Sequence, residues 1–263
     1  MIDRNEYIDI FEKYNDPAIC YLKDHATRFI KTNELVVSSI SSNNKGNILD
    51  VASHWLHNAL LYARDGFNVT CCDLVGREIG HESVKQLAKD NNIKLVTYDS
   101  LENPFELESL EENYFDIVMF TETIEHITFN PVKMWSIFYK LMKIGGKIVI
   151  TTPNYFYKDG AFIKDLKQLL KFRSSGLVID NLLDYHTYSH HWKEYSAKDI
   201  ECYFNRLSPD FRIAELLYVD FSEGNKDNWK QNNSYFPNIF YPSLYIEIEL
   251  FSKEHGILVE PHW

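Results

Sequence analysis

The chain has 263 residues, of which 45% are hydrophobic, 15% aromatic and 25% charged, globular values that exclude a disordered, collagenous or disulfide-stapled polypeptide. Its 27 Lys and Arg stand against 38 Asp and Glu, and a net charge of −11 disfavours nucleic acid as the main partner because it repels a phosphate backbone. Only 10 glycines occur, about 4% of the chain against roughly 7% in an average protein, so each turn that needs glycine is a place to look closely.

The N-terminus, MIDRNEYIDIFEKY, carries acids where a secretory signal needs bases and an apolar stretch. No apolar run approaches the roughly 18 residues of a spanning helix, so a cytoplasmic protein with no membrane partner is expected. Residues 1–45 read as an amphipathic helical segment closed by the turn SSNNKG. Cys20, Cys71, Cys72 and Cys202 form no CxxC pair and are expected to be buried, reduced thiols.

From Gly46 onward strands and helices alternate. NILDV (Asn47 to Val51) is a short apolar strand, and WLHNALLYARDGF repeats Leu56 with Leu60 and Ala59 with Ala63 at helical spacing before Gly66 stops it. NVTCC then closes on Asp73. A polar helix, HESVKQLAKDNN, leads to KLVTY, which closes on Asp99. FDIVMF is a fourth strand, followed by TETIEHI, read as helical. Asn130-Pro131 opens the helix PVKMWSIFYKLMK, whose end is assigned to Gly145-Gly146, and KIVITT is a fifth strand stopped by Pro153. Near-continuous apolar strands separated by helices indicate a parallel sheet covered on both faces. Residues 155–190 break this rhythm with a lysine-bearing helix, KDLKQLLKF, and a turn at Ser174–Gly176. Ser196 to Asp199 forms a capping box before KDIECYFNRL, after which RIAELLYVDF and SLYIEIELF alternate as strands around a loop over 222–242. No internal repeat is present.

Ligands of an open α/β sheet sit beyond the carboxyl ends of its strands. Those ends carry Asp50 with Ala52, Ser53, His54 and Trp55, then Asp73, Asp99 with Ser100, Thr121-Glu122, and Thr152 to Asn154. An acid about 20 residues beyond the first strand–helix turn, as Asp73 is, suits bidentate hold of an adenosine ribose. Asp99 is placed to accept from an adenine amino group.

The segments NILDVASHW, VTCCD, YDSLENPF, FDIVMFTETIEHI, LMKIGGKIVITTPN and HHWKEYSAKDI, in that order, resemble the class I S-adenosylmethionine-dependent methyltransferase family over about residues 45–215. A dinucleotide-binding domain accounts for Asp73 alone but not for EHI or GGKIVITTPN. The resemblance implies a Rossmann-like, seven-stranded, mostly parallel sheet with helices on both faces and an antiparallel last strand, SLYIEIELF. It implies an N-terminal helical segment over 1–45 and a methyltransferase domain over 46–263, with an acceptor lid at 155–190. It implies S-adenosyl-L-methionine as cofactor, with Ala52, Ser53, His54 and Trp55 against its methionine part. Asp73 would take the ribose, Asp99 and Ser100 would border adenine, and Thr121 and Glu122 would sit near the sulfonium. The family pattern D-x-G-x-G-x-G has no glycine here: the run is Asp50-Val51-Ala52-Ser53-His54-Trp55-Leu56, from which a reshaped turn that still binds cofactor is expected.

Methyl transfer from a sulfonium is an in-line displacement, and a hydroxyl acceptor needs a base to take its proton. His191, within a His-Trp-Lys-Glu-Tyr-Ser stretch similar to the family's acceptor-side motif, is the first candidate, His190 the second and His126 the third. No His pair with a carboxylate at ligand spacing stands out, so no metal site is expected. Asn154, Lys158, Arg173, Tyr188 and Trp192 are candidate substrate residues. The bases Lys158, Lys164, Lys167, Lys171 and Arg173 form a basic island suited to phosphate, and Tyr155, Phe156, Tyr157, Tyr185 and Tyr188, with Trp229, Tyr235 and Phe236, offer aromatic surface. The expected activity is O-methylation of a small polar acceptor such as a nucleotide-activated sugar of polysaccharide biosynthesis. N-methylation of a small amine and a non-catalytic binding relative are the alternatives. Oligomeric state has no signature in the sequence.

Overall fold

The fold is that of a computed structural model, which describes residues 2–40, 45–177, 183, 190–222, 229–232 and 238–260. Helices α1 (Arg4–Lys13) and α2 (Ile19–Ser38) precede β1 (Asn47–Val51), α3 (His57–Arg64), β2 (Asn68–Leu74), α4 (Glu82–Asp90), β3 (Lys94–Tyr98) and β4 (Phe115–Thr121). Then come α5 (Val132–Leu141), β5 (Met142–Pro153), α6 (Ala161–Leu169), α7 (Ala197–Leu207), β6 (Phe211–Val219), β7 (Lys230–Asn232) and β8 (Ser243–Leu250). One eight-stranded sheet runs in the order β3-β2-β1-β4-β5-β8-β6-β7. Strands β1 to β5 pair in parallel, whereas β8 pairs antiparallel with both β5 and β6. The fold class is the one the sequence implies, with the last strand antiparallel. The additional strand is β7, three residues paired along the edge of β6.

Alternation at period two sends each strand's side chains to opposite faces. Leu49, Val51, Cys72, Val118 and Phe120 pack with α5 and α7, while Ile48, Cys71, Ile117 and Met119 pack with α1 to α4. The N-terminal segment shares this second core: Tyr7, Phe11, Leu22, Ala26 and Val36 are buried in it with Ile48, Val149 and Tyr245. Two polar links reinforce the packing. The Tyr7 hydroxyl donates to the His57 carbonyl at 2.6 Å, and His57 Nε2 lies 2.8 Å from Asp16 Oδ2 with both side chains buried.

Four local expectations need correction. TETIEHI makes only a single 3-10 turn, Ile124–His126, because Glu122 takes a positive φ of 48° and its N–H is spent on the Thr151 carbonyl at 2.8 Å. Helix α5 stops at Leu141, ahead of the glycine pair, which lies inside β5 where the register against β4 shifts between Phe115 and Ile117. At Gly145 φ is +82°, and a Cβ on Gly146 would meet the Lys143 carbonyl oxygen at 2.9 Å, so these glycines serve the bulge. Helix α6 begins three residues before KDLKQLLKF. Cys71 and Cys72 are buried as expected, but Cys20 and Cys202 are exposed. The capping box is present, with the Asp199 N–H donating to Ser196 Oγ at 3.1 Å and the Ser196 N–H to Asp199 Oδ2 at 3.0 Å.

Candidate functional site

The strand order reverses between β1 and β4, and the turns that leave these two strands flank a cavity of about 1030 Å³. Its wall runs from Asp73, Leu74, Arg77 and Glu78 beyond β2, past Tyr98, Ser100 and Leu101 beyond β3, to Thr121, Glu122 and His126 beyond β4. Helix α2 closes the far side with Tyr21, Arg28, Phe29 and Thr32.

The turn after β1 has a positive-φ backbone of the kind glycine adopts most readily. Ala52, His54 and Leu56, the three places where the similar family carries glycine, have φ of +57°, +50° and +65°. The turn takes left-handed conformations in side-chain-bearing residues, at a cost of roughly 1–2 kcal/mol each. Asp73 holds it there. Its Oδ2 accepts the His54 N–H at 2.7 Å and its Oδ1 the Leu74 N–H at 2.7 Å. Burial raises the Asp73 pKa, and these two N–H groups oppose the rise. Asp50, 2% exposed, is pushed up to about 8, first by burial and then by the charge of Asp73.

Among the described residues, five buried side-chain atoms on the wall have no hydrogen-bond partner: Thr32 Oγ1, Asp50 Oδ2, Asn58 Oδ1, Glu122 Oε1 and Thr151 Oγ1. Unpaired buried polar atoms are costly, and a polar ligand in the cavity relieves that cost. The part α2 takes in the wall has no signature in the sequence. Arg28 Nη1 lies 3.2 Å from Glu122 Oε2 and its Nη2 donates to the Tyr21 hydroxyl at 2.7 Å. A lone arginine in an amphipathic helix has no local signature for a partner 94 residues away.

Of the expected cofactor residues, Ala52, Ser53, His54, Asp73, Ser100, Thr121 and Glu122 line the cavity. Trp55 instead packs edge-on against His81, ring centroids 5.3 Å apart, and Asp99 is exposed; neither lies on the wall. Among the expected acceptor residues, Asn154 is 1% exposed and spends its amide on the Asn238 and Tyr241 carbonyls at 2.7 and 2.9 Å. Lys158 and Arg173 are exposed and off the wall, as is the whole basic island on and around α6. Tyr185, Tyr188, Tyr235 and Phe236 lie outside the described residues. Tyr155, Phe156 and Phe162 do form a ring cluster, with centroids 5.1 to 6.0 Å apart.

The histidines occupy different environments. His190 is 4% exposed with its ring 5.5 Å from that of Trp192, and its backbone carbonyl accepts from His126 Nδ1 at 2.8 Å. A carbonyl can only accept, so His126 carries its proton on Nδ1 and the lone pair on Nε2. His191 stacks edge-on against His126, centroids 5.0 Å apart, with Nδ1 at 3.1 Å from Glu194 Oε1. Burial lowers the pKa of His126, which favours its neutral form. Glu125 beside it is 1% exposed, accepts the Thr152 hydroxyl at 3.0 Å and has its pKa raised well above the usual range by burial and then by Glu122.

A family model described as a methyltransferase domain matches residues 49–150, from β1 into β5. No curated protein matches the sequence. Among solved structures, an S-adenosylmethionine-dependent methyltransferase from Clostridium acetobutylicum is 14% identical at a TM-score of 0.57, over 89% of this chain and 98% of that one. A "possible histamine N-methyltransferase" from Thermotoga maritima is 13% identical at 0.56, over 92% and 99%. The magnesium protoporphyrin IX methyltransferase of Synechocystis, solved with bound S-adenosylhomocysteine, is 15% identical at 0.51, over 86% and 84%. At these identities the likeness is one of fold.

Proposed function

We propose that this chain, an S-adenosylmethionine-dependent methyltransferase by its matched domain, carries the methyl group to a hydroxyl oxygen of a small polar acceptor. S-adenosylmethionine, its cofactor, supplies an electrophilic methyl on a positively charged sulfur.

The residues on the wall suit it. Asp73, already fixing the turn, keeps lone pairs for the ribose hydroxyls, and Ser100 and Leu101 border the adenine. Ala52, Ser53 and His54 face the methionine part, and Thr121 and Glu122 the sulfonium. The unpartnered Asp50, Asn58 and Thr151 atoms offer acceptors to its polar groups.

One observation carries the choice of acceptor: His126 lines the cavity with its Nδ1 proton committed to the His190 carbonyl, leaving a neutral imidazole lone pair on Nε2. An amine acceptor needs only positioning, whereas a hydroxyl must shed its proton, and the His126 Nε2 lone pair takes it. His126 on the wall, backed edge-on by His191 just off it, rather than His190, therefore activates the acceptor. The basic island lies off the cavity wall, so the reading stops at a small polar hydroxyl compound and does not extend to a phosphate-bearing one.

The test is transfer of labelled methyl to matched pairs of small polyhydroxy compounds and their amino counterparts, with the methylated atom located by NMR. Label on oxygen supports the reading. Label on nitrogen alone contradicts it.

A further inference from the structure

We propose that Glu125, His126 and His191 form a binding site for one divalent transition-metal cation at the edge of the cavity. One ligand atom from each residue lies within 4.8 Å of those of the other two. Glu125 and His126 are adjacent on the 3-10 turn, and His191 comes from 65 residues further along the chain, which is why no ligand spacing shows in the sequence.

Both imidazoles are set as metal ligands are. His126 is held through Nδ1 by the His190 carbonyl at 2.8 Å and His191 through Nδ1 by the Glu194 carboxylate at 3.1 Å, which leaves each Nε2 with a lone pair. A backbone carbonyl or carboxylate on the far nitrogen is the usual outer partner of a ligating histidine. The second observation is the carboxylate. Glu125 is buried, its Oε2 takes the Thr152 hydroxyl at 3.0 Å, and its Oε1 has no hydrogen-bond partner among the described residues. A cation satisfies that oxygen.

The frame is preassembled. The Glu125 carbonyl accepts the Trp192 N–H at 2.7 Å, tying the turn to the His191 segment, and Glu194 Oε2 accepts the Ala161 N–H at 3.3 Å. A tetrahedral ion with bonds of about 2.1 Å holds its ligand atoms about 3.4 Å apart, so binding draws the three inward by at most about 1 Å. Two imidazoles and one carboxylate select zinc, manganese, cobalt or iron(II) over calcium or magnesium, and leave at least one coordination position open.

The site rests on the reading above for the place of the acceptor, and deepens it. The acceptor oxygen takes the open position, its O–H bond breaks with the electron pair left on oxygen, and the proton passes to solvent water. That oxygen bonds the methyl carbon as the carbon–sulfur bond breaks, its pair staying on sulfur. The imidazoles then act through the ion rather than as free bases.

The test is calorimetric titration of the chelator-treated full-length chain with MnCl2 and with ZnCl2. Manganese is included because it has little affinity for the exposed thiols of Cys20 and Cys202. The wild type should bind one ion of each kind at this site, weakened at least tenfold in His191→Ala and Glu125→Gln, and roughly 10- to 100-fold in Glu194→Gln. The His191 side chain is 41% exposed and Glu125→Gln keeps the side-chain shape, so both variants should fold, as circular dichroism will check. No binding, or binding equal in wild type and all three variants, overturns the site. So does hydroxyl methylation at full rate in the chelated enzyme, which leaves the imidazoles as free bases and the O-methylation reading intact. Ion binding at the site with label appearing only on nitrogen upholds the site and overturns that reading.

Discussion

Asp73 Oδ2 accepts the backbone N–H of His54 at 2.7 Å, so the acid that ends β2 fastens the turn that leaves β1. The same carboxylate faces the cavity. One group thus holds the strained turn and also faces the cavity, which explains how side-chain-bearing residues are fastened at positive φ there.

Strain in that turn is measurable. Ala52 is at φ +57° and its side chain is a single methyl, so Ala52→Gly removes a left-handed penalty at little loss of packing. The variant should be more stable than wild type by about 1 kcal/mol in urea unfolding without cofactor, allowing for the entropy glycine adds to the unfolded chain. A loss of stability would mean the turn adopts another backbone in solution.

The buried Asp50 predicts a pH dependence. Its folded pKa is raised to about 8 by burial and Asp73, against about 3.9 in the unfolded chain. A raised folded pKa means the folded state binds the proton more tightly. The group's contribution is therefore fully present below pH about 3.9 and is lost as pH rises through about 8, with a slope up to about 1.4 kcal/mol per pH unit. Asp50→Asn cannot ionise. The stability of Asp50→Asn relative to wild type should rise between about pH 5 and about pH 8 in cofactor-free urea titrations; parallel curves would contradict the burial argument.

At the β4–β5 bulge, Gly146→Ala places a Cβ 2.9 Å from the Lys143 carbonyl oxygen and 3.2 Å from that of Asp116. Both are backbone atoms and cannot swing aside. A loss of about 2–3 kcal/mol is expected from the urea midpoint. An unchanged midpoint would show that the bulge relaxes freely.

The histidines should respond in different ways. His191→Ala should lower kcat for a hydroxyl acceptor by roughly 10²- to 10⁴-fold with cofactor affinity held. The His190 ring is buried against Trp192 and its carbonyl survives substitution, so His190→Ala should cost about 1–3 kcal/mol of stability and less than about tenfold in kcat. If neither variant changes turnover, acceptor activation lies elsewhere.

Much of the fold is legible in the sequence because the five parallel strands are short apolar runs punctuated by acids and by Gly66, and the α7 capping box is a local pattern. Where reading failed, a long-range term decided. EHI carries helical residues, yet the Glu122 N–H bonds across to β5 and ends the element in one turn. Gly145 and Gly146 look like a helix stop, but the bulge between β4 and β5 uses them. In the site, Asp73, Ser53 and Thr121 follow from strand-end logic. Asp99 and Trp55 do too, yet they lie off the wall, since a strand end fixes a residue's position and not the direction of its side chain. The pairing of His126 with His191 and the reach of Arg28 to Glu122 exist only once the chain has closed.

The most direct measurement is calorimetric titration of S-adenosylhomocysteine into the full-length chain and into Asp73→Ala. Wild type should bind one molecule per chain, and Asp73→Ala should bind it more weakly by roughly 1–3 kcal/mol, the penalty for removing a hydrogen-bond partner in a buried site. No binding by wild type at millimolar ligand, or equal affinity in the two proteins, would contradict the placement of the cofactor in this cavity.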